Sequence, residues 1–195
     1  MERGTTVGII GRNGAGKSTL LKILAGVSKP SSGKVELNGR TTSITDIGAG
    51  FHPDLTGREN VYLNGQLLGM SRKEIDRRFT EIVAFSEIIE HIDSPVKNYS
   101  SGMYLRLAFS VFAHLESDII LLDEVMAVGD ASFRRKCELK IAELAKAGAT
   151  IIMVSHDASG ILESCSRCIY LENGGIVGDG DVREVIAEYY DQTSV

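Results

Sequence analysis

At 195 residues, with 43% hydrophobic and 24% charged side chains, the chain has the make-up of a globular protein with one good core and room for a small subdomain. A formal net charge of −5 argues against a general nucleic-acid binder, which would carry a basic face. No run approaches the roughly 18 apolar residues of a membrane span, and the opening Met1-Glu-Arg-Gly4 has no leader pattern. The expectation is therefore a cytoplasmic protein that docks, if at all, onto a membrane partner.

Thr6–Ile10 is a short apolar run that reads as a buried strand, and Gly11-Arg-Asn-Gly-Ala-Gly-Lys17-Ser18-Thr19 follows it directly. Leu20, Leu21, Ile23 and Leu24 then recur at helical spacing from Lys17 to Ala25, with Gly26 placed to end the helix. Strand, glycine loop and helix start make a nest of backbone N–H groups aimed at one point. The segment fits the pattern G-x-x-x-x-G-K-[ST] in full. In that pattern Lys17 reaches the β- and γ-phosphates of a nucleotide and Ser18 ligates Mg²⁺. A glycine turn alone explains the glycines but not the Lys17-Ser18 pair.

Lys29–Gly33 is a turn, Lys34–Asn38 alternates as a strand closed by Asn38-Gly39, and Ser43–Ile47 reads as a further short strand before Gly48-Ala-Gly50. From Leu55 to about His114 the pattern turns helical. Thr56-Gly-Arg-Glu59 and Ser71-Arg-Lys-Glu74 are capping boxes, and a third helix runs from Tyr104 to His114. Asp118–Asp123 is an apolar strand ending in acid. A helix over Arg134–Lys146, a strand over Thr150–Val154, His156, a strand at Cys168–Leu171, a Gly174-Gly175 turn and a last helix from about Val182 complete the chain. Continuous apolar strands alternating with helices predict an α/β fold, a mostly parallel sheet covered on both faces, with the helical stretch inserted between strands. Cys165-Ser-Arg-Cys168 has redox or zinc spacing but no second pair beside it, so Cys137, Cys165 and Cys168 read as reduced thiols.

The glycine loop alone does not separate kinases, GTPases and motor ATPases. An apolar strand ending in Asp123 places a carboxylate at the strand's C-terminal edge, where it can hold Mg²⁺ through water, and Glu124 beside it can orient or deprotonate an attacking water. His156, at the end of another apolar strand, is placed for a γ-phosphate contact. Tyr99-Ser100-Ser101-Gly102-Met103 is a Ser/Gly turn ahead of a helix N-terminus, which favours an anion but serves equally as an ordinary cap.

The order of these motifs resembles the nucleotide-binding domain of an ABC transporter over nearly the whole chain. The resemblance implies a P-loop NTPase core of RecA-like type over 1–52 and 115–195 with a helical subdomain over 53–114. Gly11, Asn13, Gly14, Ala15, Gly16, Lys17, Ser18 and Thr19 match the family's Walker A segment. Asp123 and Glu124 match Walker B and the catalytic glutamate, Ala127–Asp130 the D-loop, and His156 the switch histidine. Tyr99–Met103 stands where the family has LSGGQ, with Ser100, Ser101 and Gly102 as the contact residues and Arg106 at the family's offset. Gly48–Asn60 and Asp123–Asp130 resemble exporters of O-antigen, capsule and teichoic acid.

The implied function is ATP hydrolysis driving polysaccharide across a membrane. Two ATP and Mg²⁺ would lie between head-to-tail copies of the chain, so that Walker A of one copy faces Ser100–Gly102 of the other. The partners would be a second ATPase domain and an integral-membrane permease, at the cytoplasmic face of the inner membrane, with no nucleic acid and no span of the chain's own. A drug or lipid exporter, or a nucleotide-dependent dimerisation module, remains open beside this reading. The family's Q-loop glutamine has no counterpart between Thr45 and Leu55, and Gln66 falls on a helix, which leaves Phe51-His52 for the permease-facing role. The family's N-terminal strands and adenine-stacking aromatic are expected to be absent, with weaker ATP affinity as the consequence.

Overall fold

The computed structural model describes residues 3–44, 47–123 and 130–193. Its elements in chain order are β1 (Thr6–Ile10), α1 (Lys17–Leu24), β2 (Thr41–Ser43), α2 (Gly57–Leu67), α3 (Arg72–Ser86), α4 (Ser101–Ala113), β3 (Ile119–Leu122), α5 (Ala131–Lys146), β4 (Thr150–Val154), α6 (Ala158–Ser164), β5 (Arg167–Glu172), β6 (Gly175–Asp181) and α7 (Val182–Thr193). They group into two compact units, one of Met1–Ser43, Ser117–Val125 and Ala142–Val195, the other of Ile44–Glu116 and Met126–Ile141.

The first unit is built on a six-stranded sheet in the order β2-β3-β4-β1-β5-β6. Every pairing is parallel except β5 with β6, which are joined through the Asn173-Gly174 turn and run antiparallel. Both faces are covered, and the period of two along the strands sorts the side chains. Val7 and Ile9 of β1, with Ile169 and Leu171 of β5, join Leu121, Ile152, Val154 and Leu21 in a buried cluster against α1. Ile10, Cys168 and Tyr170 point the other way, into a cluster with Ala158 and Ile161 of α6 and Val182, Val185 and Ile186 of α7. Gly8 belongs to that second face, and a Cβ there would sit 2.5 Å from Ile161 Cγ2, so α6 packs on bare backbone. Helix α1 ends where expected: Gly26 takes φ 74° and its N–H donates to the Ile23 carbonyl at 3.1 Å.

The second unit packs α2, α3 and α4 together. Both capping boxes form: Thr56 N–H donates to Glu59 Oε2 at 2.8 Å and Glu59 N–H to Thr56 Oγ1 at 3.2 Å, with Ser71 and Glu74 paired the same way. Phe85, Phe109 and Phe133 meet with ring centroids 5.8 to 6.3 Å apart around the buried end of α4. Asn60 is fully buried and donates from Nδ2 to the carbonyls of His52, Leu55 and Thr56, while its Oδ1 accepts from His52 N–H at 2.7 Å. One side chain thereby fixes the loop that leads into α2.

Several sequence expectations change. Lys34–Asn38 is not a strand: among the described residues it pairs with no other segment, and it is exposed except at Leu37, although Lys34 and Glu36 form an ion pair on one side, as alternating positions do. A strand needs a ladder partner as well as a pattern. The described strand here is Thr41–Ser43, with Ser43 opposite Leu121 of β3, and Thr45 and Asp46 of the expected 43–47 lie outside the described residues. Helix α4 begins at Ser101, not Tyr104, since Ser100 caps it. A short helix over Ala158–Ser164 was not expected; it starts at Asp157, whose carboxylate accepts from Ser159 N–H at 3.0 Å. The helical unit also takes in 44–52 and the residues up to Ile141 of α5, beyond the 53–114 drawn from the sequence. Among the described residues no helix is long and apolar enough to cross a membrane.

Candidate nucleotide site

Strand β1 lies between β4 and β5, and β3 lies on the far side of β4. Because these strands run parallel, the segments leaving their C-terminal ends emerge along one edge of the sheet, where ligands of open α/β sheets collect. The loop Gly11–Gly16 leaves β1, Asp123 follows β3 and Ser155-His156 follows β4. Neighbouring strands stand only about 4.8 Å apart, so register alone gathers the glycine loop, Asp123 and His156.

The loop is held by its own backbone. Ala15 N–H donates to the Arg12 carbonyl at 3.1 Å, and the Ala15 carbonyl accepts from Gly174 N–H at 3.0 Å. Gly14 and Gly16 take φ values of 83° and 103°, left-handed backbone that turns successive N–H groups inward and that only glycine adopts without cost. Gly11 is needed for space: a Cβ there would overlap the Leu171 carbonyl oxygen and approach Ala15 Cβ to 3.1 Å. Lys17, in the first turn of α1, is buried, and its Nζ donates to the Gly11 carbonyl at 2.6 Å and the Arg12 carbonyl at 3.2 Å. Burial lowers the Lys17 pKa and the Asp123 carboxylate raises it, which places that acid within electrostatic reach of the ammonium. Ser18 and Thr19 are exposed on the same turn, and Asp123 is half-buried. His156 shares an open depression of about 370 Å³ with Arg12, Asn13 and Tyr189. Glu124, and Ala127–Gly129 of the expected D-loop, lie outside the described residues.

The second unit carries the serine–glycine turn. Ser100 caps α4, accepting from Met103 N–H at 3.2 Å, so Ser101 and Gly102 form the helix's first turn. A Cβ on Gly102 would meet only Ser100 Oγ at 3.8 Å, leaving open space over that turn. One turn on, the Arg106 guanidinium bonds Glu87 Oε2 at 2.5 Å and Asp130 Oδ2 at 2.7 Å and lies over the Phe133 ring at 4.8 Å. Asp130 also caps α5 by accepting from Phe133 N–H at 2.9 Å, and both contacts hold its carboxyl below the usual range. Gln66 is exposed on α2, while Gly48 and Phe51 are fastened by Tyr104, whose hydroxyl donates to the Gly48 carbonyl at 2.5 Å and whose ring lies 5.1 Å from that of Phe51. The three cysteines are buried and free.

Two residues of the depression were not among the sequence candidates. Arg12 lies in the loop at a position where the pattern accepts any residue. Tyr189 continues the 182, 185, 186 spacing of the α7 core face, a signal that reads as packing until the fold brings the helix end beside the loop.

The model of the ABC transporter family matches residues 1–127. An O-antigen export system ATP-binding protein of Myxococcus xanthus, RfbB, is 48% identical over 99% of this chain and 44% of its own length. A protein of the same name from Klebsiella pneumoniae is 49% identical, over 96% of this chain and 76% of its own length. The chain thus spans less than half of the Myxococcus relative. Among solved structures, the ATP-binding subunit of an ABC transporter superposes with a TM-score of 0.84 at 24% identity, covering 96% of this chain and 83% of that one, a likeness of fold. Glycine loop, sheet order and sequence agree: the chain belongs to the ABC transporter family.

Proposed function

We propose that the chain is the ATP-hydrolysing part of an exporter that moves polysaccharide, free or lipid-linked, across the cytoplasmic membrane. The observation that carries this reading is the glycine loop between β1 and α1, which holds a buried Lys17 at the edge of a parallel sheet where Asp123 follows β3. The export names of the relatives support the substrate class.

In this reading Gly11, Asn13, Gly14, Ala15, Gly16, Lys17, Ser18 and Thr19 bind the phosphates of ATP. The loop's N–H groups and the start of α1 supply fixed positive dipole to the anion. Lys17 exchanges its carbonyl contacts at Gly11 and Arg12 for β- and γ-phosphate oxygens. Ser18 and Asp123 would hold Mg²⁺, which when bound neutralises phosphate charge. A hydroxyl beside a carboxylate suits a hard cation that takes its remaining ligands from phosphate and water. Glu124 orients and deprotonates the attacking water, and His156 contacts the γ-phosphate.

Ser100, Ser101 and Gly102 close over the nucleotide of a second copy, and Asp130 belongs to the segment that meets it. The open face of the first turn of α4 supports that role. ATP would bring two copies together, and hydrolysis would release them and move an integral-membrane permease on the cytoplasmic side.

Light scattering on a Glu124→Gln variant tests the two-copy arrangement. A doubling of mass that needs both ATP and Mg²⁺, and that Ser100→Arg removes, is expected. A mass that stays monomeric while ATP binds would overturn it.

A further inference from the structure

Tyr104 stands just past the serine–glycine turn and outside the nucleotide contacts proposed above. Its N–H donates to the Ser100 carbonyl at 3.0 Å, so it sits one helical turn from the cap of α4. Its hydroxyl reaches away from that turn, to the Gly48 carbonyl at 2.5 Å. The same carbonyl accepts from Phe51 N–H at 2.9 Å. Both lone pairs of one oxygen are thereby used, one closing the turn over 48–51 and the other fastening it to α4.

The seat is shaped for a ring. Gly48 takes φ 71°, and a Cβ there would lie 2.7 Å from Tyr104 Cε1 and 2.9 Å from its hydroxyl oxygen. Tyr104 and Phe51 are both half-buried and meet edge-on, with centroids 5.1 Å apart. On the other side the segment rests on α2: a Cβ on Gly50 would overlap Leu67 Cδ1, and His52 N–H donates to Asn60 Oδ1 at 2.7 Å. The His52 side chain itself is exposed.

We propose that Tyr104 is a positioning residue that ties residues 48–52 to the serine–glycine turn, so that closure of Ser100, Ser101 and Gly102 over a nucleotide is transmitted to Phe51 and the exposed His52. The proposal rests on the two-copy reading above and extends it from the nucleotide to the surface of the helical unit. The short α4 turn between Ser100 and Tyr104 is the lever, and the hydroxyl at Gly48 is its point of attachment.

The test is amide hydrogen exchange on the full Glu124→Gln chain, with and without Mg-ATP. Mg-ATP should slow exchange over 100–106 and, through Tyr104, over 48–52. Tyr104→Phe keeps the ring and removes the hydroxyl. It should leave the slowing over 100–106 in place and reduce that over 48–52 about fivefold, the worth of one neutral hydrogen bond. Tyr62→Phe, which removes a hydroxyl bonded to Asp76 in the same unit, should match the parent chain. Slowing over 48–52 that survives Tyr104→Phe, or that is missing from the parent while 100–106 responds, would overturn the proposal. So would a Tyr104→Phe chain that loses the response over both segments, since the hydroxyl would then serve the turn and not the link. No slowing over 100–106 in the parent would refute the two-copy reading, and the proposal with it.

Discussion

Gly11 and Gly14 both belong to the loop motif, but the structure requires them for different reasons, and substitution separates the two. A Cβ at Gly11 collides with the Leu171 carbonyl oxygen, and Ala15 Cβ lies 3.1 Å away on the other side. The first of these atoms is backbone of β5, which pairs with β1 through Ile10 and Tyr170, so no rotamer change relieves the overlap. Overpacking costs about 1–3 kcal/mol in general; with a strand on the receiving side, Gly11→Ala belongs at about 3 kcal/mol. Gly14 has no atom within 4 Å of its would-be Cβ and pays only for its φ of 83°. That conformational cost is roughly 1–2 kcal/mol for an ordinary residue. For a chain of this size each kcal/mol moves Tm by about 2–4 °C. Thermal unfolding followed by circular dichroism should therefore show Gly11→Ala losing about 6–12 °C and Gly14→Ala visibly less. Gly11→Ala melting with the wild type, or Gly14→Ala melting below Gly11→Ala, would refute the steric reasoning.

Asn60→Ala strips the donors from three carbonyls and the acceptor from His52 N–H; a loss of about 2–4 kcal/mol in urea unfolding is expected. Burial holds the His114 imidazole below its ordinary range, with Lys140 and Arg78 adding to that and the Ser110 carbonyl and Glu81 opposing it. The neutral ring thus contributes stability that is present above the unfolded pKa of about 6.5 and lost as pH falls through the lower folded value. The urea midpoint should drop between pH 7.5 and 5.5 more for wild type than for His114→Asn. Burial pushes the Cys137 and Cys165 thiols up to about 12 and the Cys168 thiol to about 11. At pH 8 a thiol-reactive disulfide reagent should leave all three untouched in the folded chain and react fully after denaturation.

What the sequence made legible were features with a local cause. A capping box is written within four residues, and both formed at the expected places. The strand Thr150–Val154 is apolar from Ile151 onward because both of its faces are covered, so its limits could be read directly. The glycine loop was legible because its neighbours supplied the strand and the helix. Lys34–Asn38 misled because alternation describes one strand, whereas pairing depends on a second. Helix α6 escaped because its seven residues start from an aspartate turn and carry few apolar positions. Tyr189 was invisible for a third reason: its place beside Arg12 and His156 comes from α7 packing on β5, a contact made by residues far apart in the chain.

The glycine loop is the proposed site of ATP hydrolysis, and phosphate release from Mg-ATP by the wild-type chain and by Lys17→Ala tests that role most directly. Lys17 makes its two hydrogen bonds to loop carbonyls, so its truncation should leave the fold intact by circular dichroism. Loss of a charged phosphate contact should lower ATP affinity about tenfold to a hundredfold and bring hydrolysis to background. Hydrolysis that persists in folded Lys17→Ala, or a wild-type chain that neither binds nor hydrolyses ATP, would contradict the account.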